Sequence, residues 1–381
     1  MSISTRVISS LSTVNAADWD AVANPDPEIY NPFISHAFLL ALEKSGSANA
    51  KTGWQASHLM LEDNGKIVGA CPCYLKSHSM GEYVFDHGWA DAFHRAGGSY
   101  YPKLQVSVPF TPATGPRLLA PTDFLRKHLA AELLKLCSAQ QASSVHVTFA
   151  APQDAPGFEN AAWLPRNDIQ FHWQNAGYKT FDDFLAALSS SKRKNIRKER
   201  EAVKANGISF HALSGDNLMP KHWDYFYEFY MDTGNRKWGQ PYLTRKFFAL
   251  LQETMRDQIL LVLAERGGTI IAGALNFIGG NTLYGRNWGC VENHPFLHFE
   301  TCYYQAIDFA ITRGLATVEA GAQGEHKLAR GYVPVKTQSY HHLAHPGLSR
   351  AVADYLEHER QAVAENQNEL AAHAPFKHEQ D

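Results

Sequence analysis

The chain has 381 residues, of which 45% are hydrophobic and 19% are charged, and its formal net charge is -3. This composition is typical of a globular protein long enough for two hydrophobic cores, and it excludes extensive disorder. The near-neutral charge excludes a global electrostatic attraction to nucleic acid or membrane, so any polyanion site has to be a local patch.

The N-terminal segment carries no sign of export. Its first 20 residues hold one arginine and no long apolar run, and no run of about eighteen apolar residues occurs anywhere in the chain. Five scattered cysteines suit reduced core thiols, and no second pair joins Cys71 and Cys73 to complete a zinc site. We therefore expect a cytoplasmic protein without stable membrane insertion.

Three structural units are predicted in the first half. An amphipathic helix follows Ser35, which acts as its N-cap. Residues 58–75 predict two strands joined by a tight turn at Asn64-Gly65. A helical pattern from Phe124 to Gln140 then leads into a strand at Val145–Phe149.

Polar loops between these units are candidates for the wall of a groove. They include Asp86–Asp91 and Tyr100–Lys103, and a turn constrained by Pro and Gly that carries Thr111, Thr114 and Arg117. A structural role and an acceptor-binding role both stay open for these residues, and Arg117 is a candidate substrate contact.

The segment from Pro152 to Pro165 is rich in Pro, Ala, Asp and Gly and has no periodicity. Such a composition is typical of a linker. We place the domain boundary near residue 165.

A strongly basic helix is predicted next, over Lys192–Lys204. Arg193, Arg197, Arg200 and Lys204 follow helical spacing and share one face. Cations near a helix N-terminus oppose its macrodipole, and bound phosphates would relieve that repulsion. Anion binding by Lys192, Arg193, Arg197 and Arg200 is one interpretation, and a solvated charged face partly neutralised by Glu199 and Glu201 is the other.

The second half repeats the order of the first. A Thr-capped helix follows Thr244, strands at 260–265 and 270–278 flank a Gly267-Gly268 turn, and a helical pattern over Phe299–Arg313 precedes a strand at 316–319. The shared order of helix, hairpin, further strand, helix and strand is that of the GCN5-related N-acetyltransferase (GNAT) fold.

Two polar clusters in the second half are candidates for chemistry. The first runs from the third strand into the next helix and contains Tyr284, Arg286, Trp288, His298 and Glu300. Arg286 and Trp288 have the same strand parity and would project from one face, with Arg286 as a substrate anchor. Glu300 is predicted to be catalytic, and Tyr284, Trp288 and His298 are predicted to contact substrate. Helix capping is the alternative for His298 and Glu300.

The second cluster is the turn after the last strand of the repeat, from Glu319 to Tyr332. Glu325 or His326 is predicted to accept a proton. Arg330, four residues after His326 on the same helical face, is predicted to hold a carboxylate or phosphate together with Arg286. Zinc is the rival use of Glu and His, but the two-His spacing of a zinc helix is missing. His341-His342 and His345 read as strand and turn.

Several of these stretches carry a resemblance. Lys192–Gly207 resembles the opening of the second GNAT-like domain of Fem-type aminoacyl transferases. Taken with Pro109–Leu118, Trp288–Cys290 and Gly321–Lys327, the chain over about residues 15 to 345 most resembles Fem-like bacterial proteins of peptidoglycan biosynthesis or recognition. The resemblance implies transfer of an acyl or aminoacyl group, with acyl-CoA or aminoacyl-tRNA as co-substrate.

One departure bears on the donor. Acetyl-CoA-dependent GNAT enzymes carry a glycine-rich loop whose backbone N–H groups bind the pyrophosphate at a helix N-terminus. The corresponding stretch, Glu292–Glu300, contains no glycine. A conventional CoA cradle is therefore not expected.

We predict an α/β (α+β) fold with tandem GNAT-like domains at 1–165 and 166–350, the second carrying the active site, and a C-terminal helix and tail at 351–381. The predicted function is N-acyl or aminoacyl transfer to a small-molecule or peptide amine such as a peptidoglycan precursor. tRNA is a candidate partner, and no permanently bound cofactor or metal is expected. The alternatives are a non-catalytic recognition module for a cell-wall precursor or RNA, and a zinc-dependent hydrolase.

Overall fold

The computed structural model describes residues 3–237, 241–321 and 324–377, and the side chains of residues 235–237 and 325 lie outside that description. The chain forms two compact units that are interleaved along the sequence. Unit 1 holds Met1–Pro27, Phe33–Ile169 and Lys336–Glu365, and unit 2 holds Glu28–Pro32, Gln170–Val335 and Asn366–Asp381. The predicted domain ranges are contiguous and differ from these units; the boundaries of the duplication stay a prediction.

Strands and helices alternate in short runs. The strands are β1 (Ile3–Ile8), β2 (Trp54–Ala56), β3 (His58–Asp63), β4 (Lys66–Cys71), β5 (Cys73–Lys76), β6 (Lys103–Val106), β7 (Ser144–Ala150), β8 (Leu164–Gln174), β9 (Ile208–Leu213), β10 (Ile259–Arg266), β11 (Thr269–Ile278), β12 (Thr282–Cys290), β13 (Thr317–Glu319) and β14 (Val333–Leu343). The helices are α1 (Ala16–Ala23), α2 (His36–Lys44), α3 (His87–Arg95), α4 (Asp123–Ala139), α5 (Phe181–Ala187), α6 (Ser190–Ala205), α7 (Pro220–Lys237), α8 (Arg245–Thr254), α9 (Leu297–Phe299), α10 (Gln305–Arg313) and α11 (Pro346–Ala372).

Unit 1 contains two sheets. β1, β3 and β4 form an antiparallel sheet, and β2, β5, β6 and β7 continue in that order to β14, with β6 and β7 parallel. The β3–β4 hairpin turns at Asn64-Gly65, both with positive φ, as expected of a two-residue hairpin turn. Leucines spaced along α4 pack against these strands, with Leu129 and Leu133 fully buried.

The predicted linker is part of this core. Residues Pro152–Phe158 form a 3-10 helix, and Phe158 and Trp163 are buried in the unit 1 cluster. Asp154 is buried and accepts backbone N–H groups from Arg117 and Leu118. The prediction of a linker was wrong because Pro and Gly mark irregular backbone, which is equally common in a packed 3-10 segment.

Unit 2 holds the strand order β8, β13, β12, β11, β10, β9. Only β12 and β13 pair in parallel, and the other neighbours are antiparallel. Gly267 and Gly268 turn the β10–β11 hairpin with positive φ. α5 and α10 pack on the strands through a core that includes Phe184, Ile307, Leu283 and Val318.

Both units show the predicted order of helix, hairpin, further strand, helix and strand. In unit 1 these are α2, the β3–β4 hairpin, the further strands, α4 and β7; in unit 2 they are α8, β10–β11, β12, α10 and β13. The predicted fold class is confirmed. The five cysteines are free thiols. In the described part of the chain, no helix has the length and apolarity needed to span a bilayer.

Candidate active site in unit 2

The centre of unit 2 opens where β12 and β13 stop pairing. They pair in parallel only from Thr282–Thr317 to Tyr284–Glu319. Arg286 follows as the extra residue of a β-bulge, since Gly285 pairs with Asn276 and Asn287 with Leu275. The result is a small pocket of about 90 Å³ that contains Arg286, Trp288, His298, Cys302 and Tyr303.

A larger cleft of about 630 Å³ shares Trp288 and His298 with this pocket. Phe296 and Phe299 add aromatic walls, and Asp232 and Glu292 add carboxylates. Its lining contains no lysine or arginine among the described residues.

The loop before α9, which contains no glycine, takes its shape from a residue with positive φ and from local hydrogen bonds. Phe296 adopts the left-handed conformation with φ 64°, and the backbone N–H of Leu297 is already bonded to the His294 carbonyl. The Glu292 carboxylate accepts a hydrogen bond from His294 at 2.6 Å. A carboxylate in the loop before a helix repels a pyrophosphate, the group that a glycine-rich loop binds at that position.

A π-helical turn, Glu300–Tyr304, interrupts the helix between α9 and α10. π-turns insert one extra residue and are frequent at functional sites. The hydroxyl of Tyr303 meets Nε2 of His326 at 2.9 Å, and the next residue, Tyr304, donates its hydroxyl to Glu199. Sequence reasoning missed Tyr303, because nothing in the periodicity marks a π-turn.

His326 lies in the predicted turn, on a 3-10 helix over Glu325–Arg330. One edge of its ring faces solvent, and the ring also packs against Phe299 and Tyr303, with centroids 5.6 and 5.8 Å away. Partial burial, with the neighbouring charges of Arg330 and Lys327, holds the pKa of His326 below its ordinary value. A neutral imidazole at neutral pH can accept a proton. The Glu325 side chain lies outside the described residues.

Lys327 is a second residue that the sequence analysis missed. Its side chain is 2% exposed, and Nζ donates to the Gly321 carbonyl at 3.0 Å. Burial lowers the pKa of Lys327 to about 8. The lysine follows Glu and His in the sequence, a pattern typical of solvated residues, so only the folded chain reveals its burial.

Glu300, predicted as catalytic, is committed to an ion pair. Its two oxygens accept from Arg200 at 3.0 and 3.2 Å, and Gln305 donates to one of them. Burial raises the pKa of Glu300. The geometry indicates that Glu300 anchors Arg200, which also pairs with Asp308.

The predicted basic face of α6 is only partly exposed. Arg200 points inward, and Arg193 is half-buried and donates to the Leu188 carbonyl at 3.5 Å. Arg197 is exposed beside Asp182, and Lys192 is half-buried. The basic row that faces solvent consists of Lys194, Arg197, Lys198 and Lys204.

Two further predicted contacts lie apart from the pocket. Arg117 belongs to unit 1, where its guanidinium donates to the Thr148, Pro116 and Ala113 carbonyls and braces the surrounding turn. Tyr284 is buried at the last position where β12 pairs with β13. No group of three His, Cys, Asp or Glu residues in the described ranges could hold a metal ion.

These features define a two-unit α/β protein of GNAT type, with a polar pocket at the split between two parallel strands of the second unit. The chain belongs to the FemAB-like family, described as peptidoglycan biosynthesis/recognition, whose sequence profile matches residues 10–378. Among curated proteins, no sequence matches the chain.

Solved structures share the fold. FemX is 10% identical, with a TM-score of 0.57, and the match covers 92% of this chain and all of FemX. L-PGS from Bacillus licheniformis is 10% identical with a TM-score of 0.51, covering 86% of this chain and 98% of that one. A conserved protein of unknown function from Bacteroides thetaiotaomicron VPI-5482 is 10% identical with a TM-score of 0.53, covering 89% and 100%.

Proposed function

We propose that the chain is an N-acyltransferase of peptidoglycan metabolism that transfers an aminoacyl or acyl group to an amine in the unit 2 pocket. The observation that carries this proposal is the hydrogen bond between His326 and Tyr303, with Tyr303 lining the pocket that Arg286 enters. A base and an acid in contact beside an anion-binding side chain are what acyl transfer requires.

In the proposed reaction, the acceptor nitrogen attacks the acyl carbonyl and the C–N bond forms. The bond from the acyl carbon to the leaving oxygen or sulfur then breaks. His326 takes the proton released by the amine, Tyr303 gives its own proton to the leaving group, and His326 returns a proton to Tyr303. Burial keeps the pKa of the Tyr303 hydroxyl well above its ordinary value, so Tyr303 enters the reaction protonated.

Lys327 and Arg286 supply positive charge around the reacting carbonyl. Lys327 interacts electrostatically with Cys302, which lines the pocket beside Arg286. A cation held in a low-dielectric site stabilises the oxyanion of the tetrahedral intermediate.

The proposed donor is an aminoacyl-tRNA, with acyl-CoA as the alternative. The glycine-free loop and the absence of described cations in the larger cleft argue against a bound pyrophosphate. The basic row on α6 offers charges for a polyanionic donor. Donors of this kind are cytosolic, so a cytoplasmic location belongs to the same proposal.

The test incubates purified protein with radiolabelled aminoacyl-tRNA or acyl-CoA and an amine-bearing peptidoglycan precursor. We expect labelled amide product, and a loss of about 10²- to 10⁴-fold in His326→Gln. His211→Gln, an exposed histidine of β9, is the matched control. Binding of precursor without turnover in the wild type would instead establish a recognition module.

A further inference from the structure

One acidic residue of the basic helix α6 faces the interior of unit 2. Glu199 accepts two hydrogen bonds from Arg330, at 2.8 and 3.2 Å, and a third from the hydroxyl of Tyr304. Its side chain is 14% exposed, whereas Glu201 two residues later is exposed. Glu199 is therefore positioned by specific partners rather than by general neutralisation of the basic helix.

Arg330 connects Glu199 to the backbone of His326, the proposed base. While Nε and one terminal nitrogen bind Glu199, the other terminal nitrogen donates to the His326 carbonyl at 2.8 Å. The guanidinium also lies 3.4 Å from the centre of the Phe299 ring. A guanidinium held at all three nitrogens and stacked on a ring has little rotational freedom, so its partner at His326 is equally fixed.

The Tyr304 contact fixes the other half of the pair. Tyr304 follows Tyr303 in the π-helical turn, so anchoring its hydroxyl sets the rotation of that turn. Tyr303 in turn reaches His326. A single carboxylate thus contacts both elements that supply the acid and the base, one through Tyr304 and one through Arg330.

We infer that Glu199 is a positioning residue. Through Tyr304 and Arg330 it holds Tyr303 and His326 at hydrogen-bonding distance from each other. This inference rests on the proposed function for its catalytic consequence. The clamp, which consists of Glu199, Tyr304 and Arg330, is a geometric property that can be measured whether or not transfer activity is found.

The kinetic test compares Glu199→Gln with Glu201→Gln on the same helix. We expect Glu199→Gln to lower kcat about 10- to 100-fold with little change in KM, because it displaces the reacting groups rather than removing them. Glu201→Gln should leave both unchanged. In a Tyr303→Phe background, Glu199→Gln should lower kcat little further, because the Tyr303–His326 pair that Glu199 positions is already broken.

A second readout needs no turnover. The imidazole of His326, assigned by its loss in His326→Gln, is titrated by NMR. Glu199→Gln should loosen the turn, expose the ring and raise the pKa of His326 toward its ordinary value. Arg330→Lys keeps the positive charge but loses the bidentate guanidinium, so it should also raise the pKa of His326. It serves as the second variant if Glu199→Gln fails to fold.

The outcomes separate the two claims. A wild type without transfer activity, but with the expected NMR change in Glu199→Gln, overturns the proposed function and supports the clamp. Full activity and an unchanged His326 titration in Glu199→Gln overturn the clamp. An additive loss with Tyr303→Phe, accompanied only by a lower Tm, shows a purely structural role and also overturns it.

Discussion

His326 and Tyr303 are the reacting side chains of the proposed chemistry. Protonation of His326 makes the rate of the proposed reaction depend on pH. Because burial and two cations hold the pKa of His326 below its ordinary value, the base is neutral at pH 7. We expect kcat/KM to rise with pH through a midpoint below about 6.5 and then to level off.

Arg330→Gln removes one of the two cations, so it should shift this midpoint upward. Arg313→Gln, an exposed arginine at the end of α10, should leave it in place. The measurement is kcat/KM from pH 5 to pH 8. A midpoint unmoved in Arg330→Gln would exclude His326 as the titrating base.

Lys327 is a buried cation. The residue is 2% exposed, and among the described residues its ammonium donates to the Gly321 carbonyl and meets no carboxylate, so burial of its charge is unfavourable in the folded state. Lys327→Met preserves volume and removes that charge. We expect the Tm to change little or rise, while transfer falls about 10²- to 10³-fold because the developing oxyanion loses its cation.

Thermal unfolding measures the expected Tm of Lys327→Met, and single-turnover kinetics measure its expected loss of transfer rate. Lys194→Met, which alters an exposed lysine of α6, is the control for the loss of one charge. A fall in Tm of more than a few degrees with unchanged transfer would assign Lys327 a purely structural role.

Three residues that the sequence groups in one polar cluster lie around one pocket, although the β-bulge at Arg286 breaks the strand alternation on which part of that grouping relied. Arg286 and Trp288, two apart on β12, line the same pocket, and His298 joins them from the following helix. Tyr303 and Lys327 could not be found, because their positions depend on a π-turn and on tertiary burial. Both effects arise from packing rather than from local spacing.

At the level of elements, α6 shows why a charged face is hard to read from spacing alone. Ile196 and Val203 form its buried stripe. Glu199 and Arg200 lie between them at three- and four-residue intervals, so both turn inward, where Tyr304, Arg330, Glu300 and Asp308 meet them. The sequence predicts the helix, and the position of the apolar stripe decides which cations reach solvent.

The basic row on α6 predicts salt-dependent binding of a polyanionic donor. Replacing Lys194 and Lys198 by Gln removes two exposed charges on one face. We expect tRNA affinity to fall about tenfold and the slope of log K against log salt to shrink by about one to two. Filter binding between 50 and 200 mM salt measures both, with Lys246→Gln on α8 as the control. A slope equal to that of the wild type would remove the basic row from the donor site.

At the scale of the whole chain, the duplication could be predicted because each repeat is a local pattern, from His36 to Ala150 in unit 1 and from Arg245 to Glu319 in unit 2. The interleaving of the units could not, because it depends on pairs distant in sequence. β14 returns to pair with β7, and the Nδ1 atoms of His146 and His341 meet at 2.7 Å across 195 residues. Periodicity carries no information on such partners.

This return places a buried network of ionisable groups in unit 1. Lys103 donates to Glu82 at 2.7 Å and to Ser79 and Asp86, and Tyr100 links Asp86 to His146. His146 continues to His341. Buried ion pairs tolerate the loss of one partner poorly, so this network ties the folding of unit 1 to its protonation state.

The two histidines set the direction of the pH dependence. Burial lowers the pKa of His146 to about 3 and holds that of His341 well below its ordinary value. In the unfolded chain both titrate near 6.5. Below that pH the unfolded state binds more protons, so stability is complete above about 6.5 and declines as the pH falls toward about 3, by up to about 1.4 kcal/mol per pH unit for each histidine.

We therefore expect the free energy of unfolding of unit 1, measured in urea, to fall steadily from pH 6.5 to pH 4. This loss begins at a higher pH than the loss caused by protonation of ordinary surface carboxylates. His341→Gln should flatten this slope, since it removes one of the two groups that charge only on unfolding. Replacement of His373, an exposed histidine beyond α11, should not. If His341→Gln keeps the wild-type slope across this range, the buried histidine pair is not what makes the fold sensitive to acid.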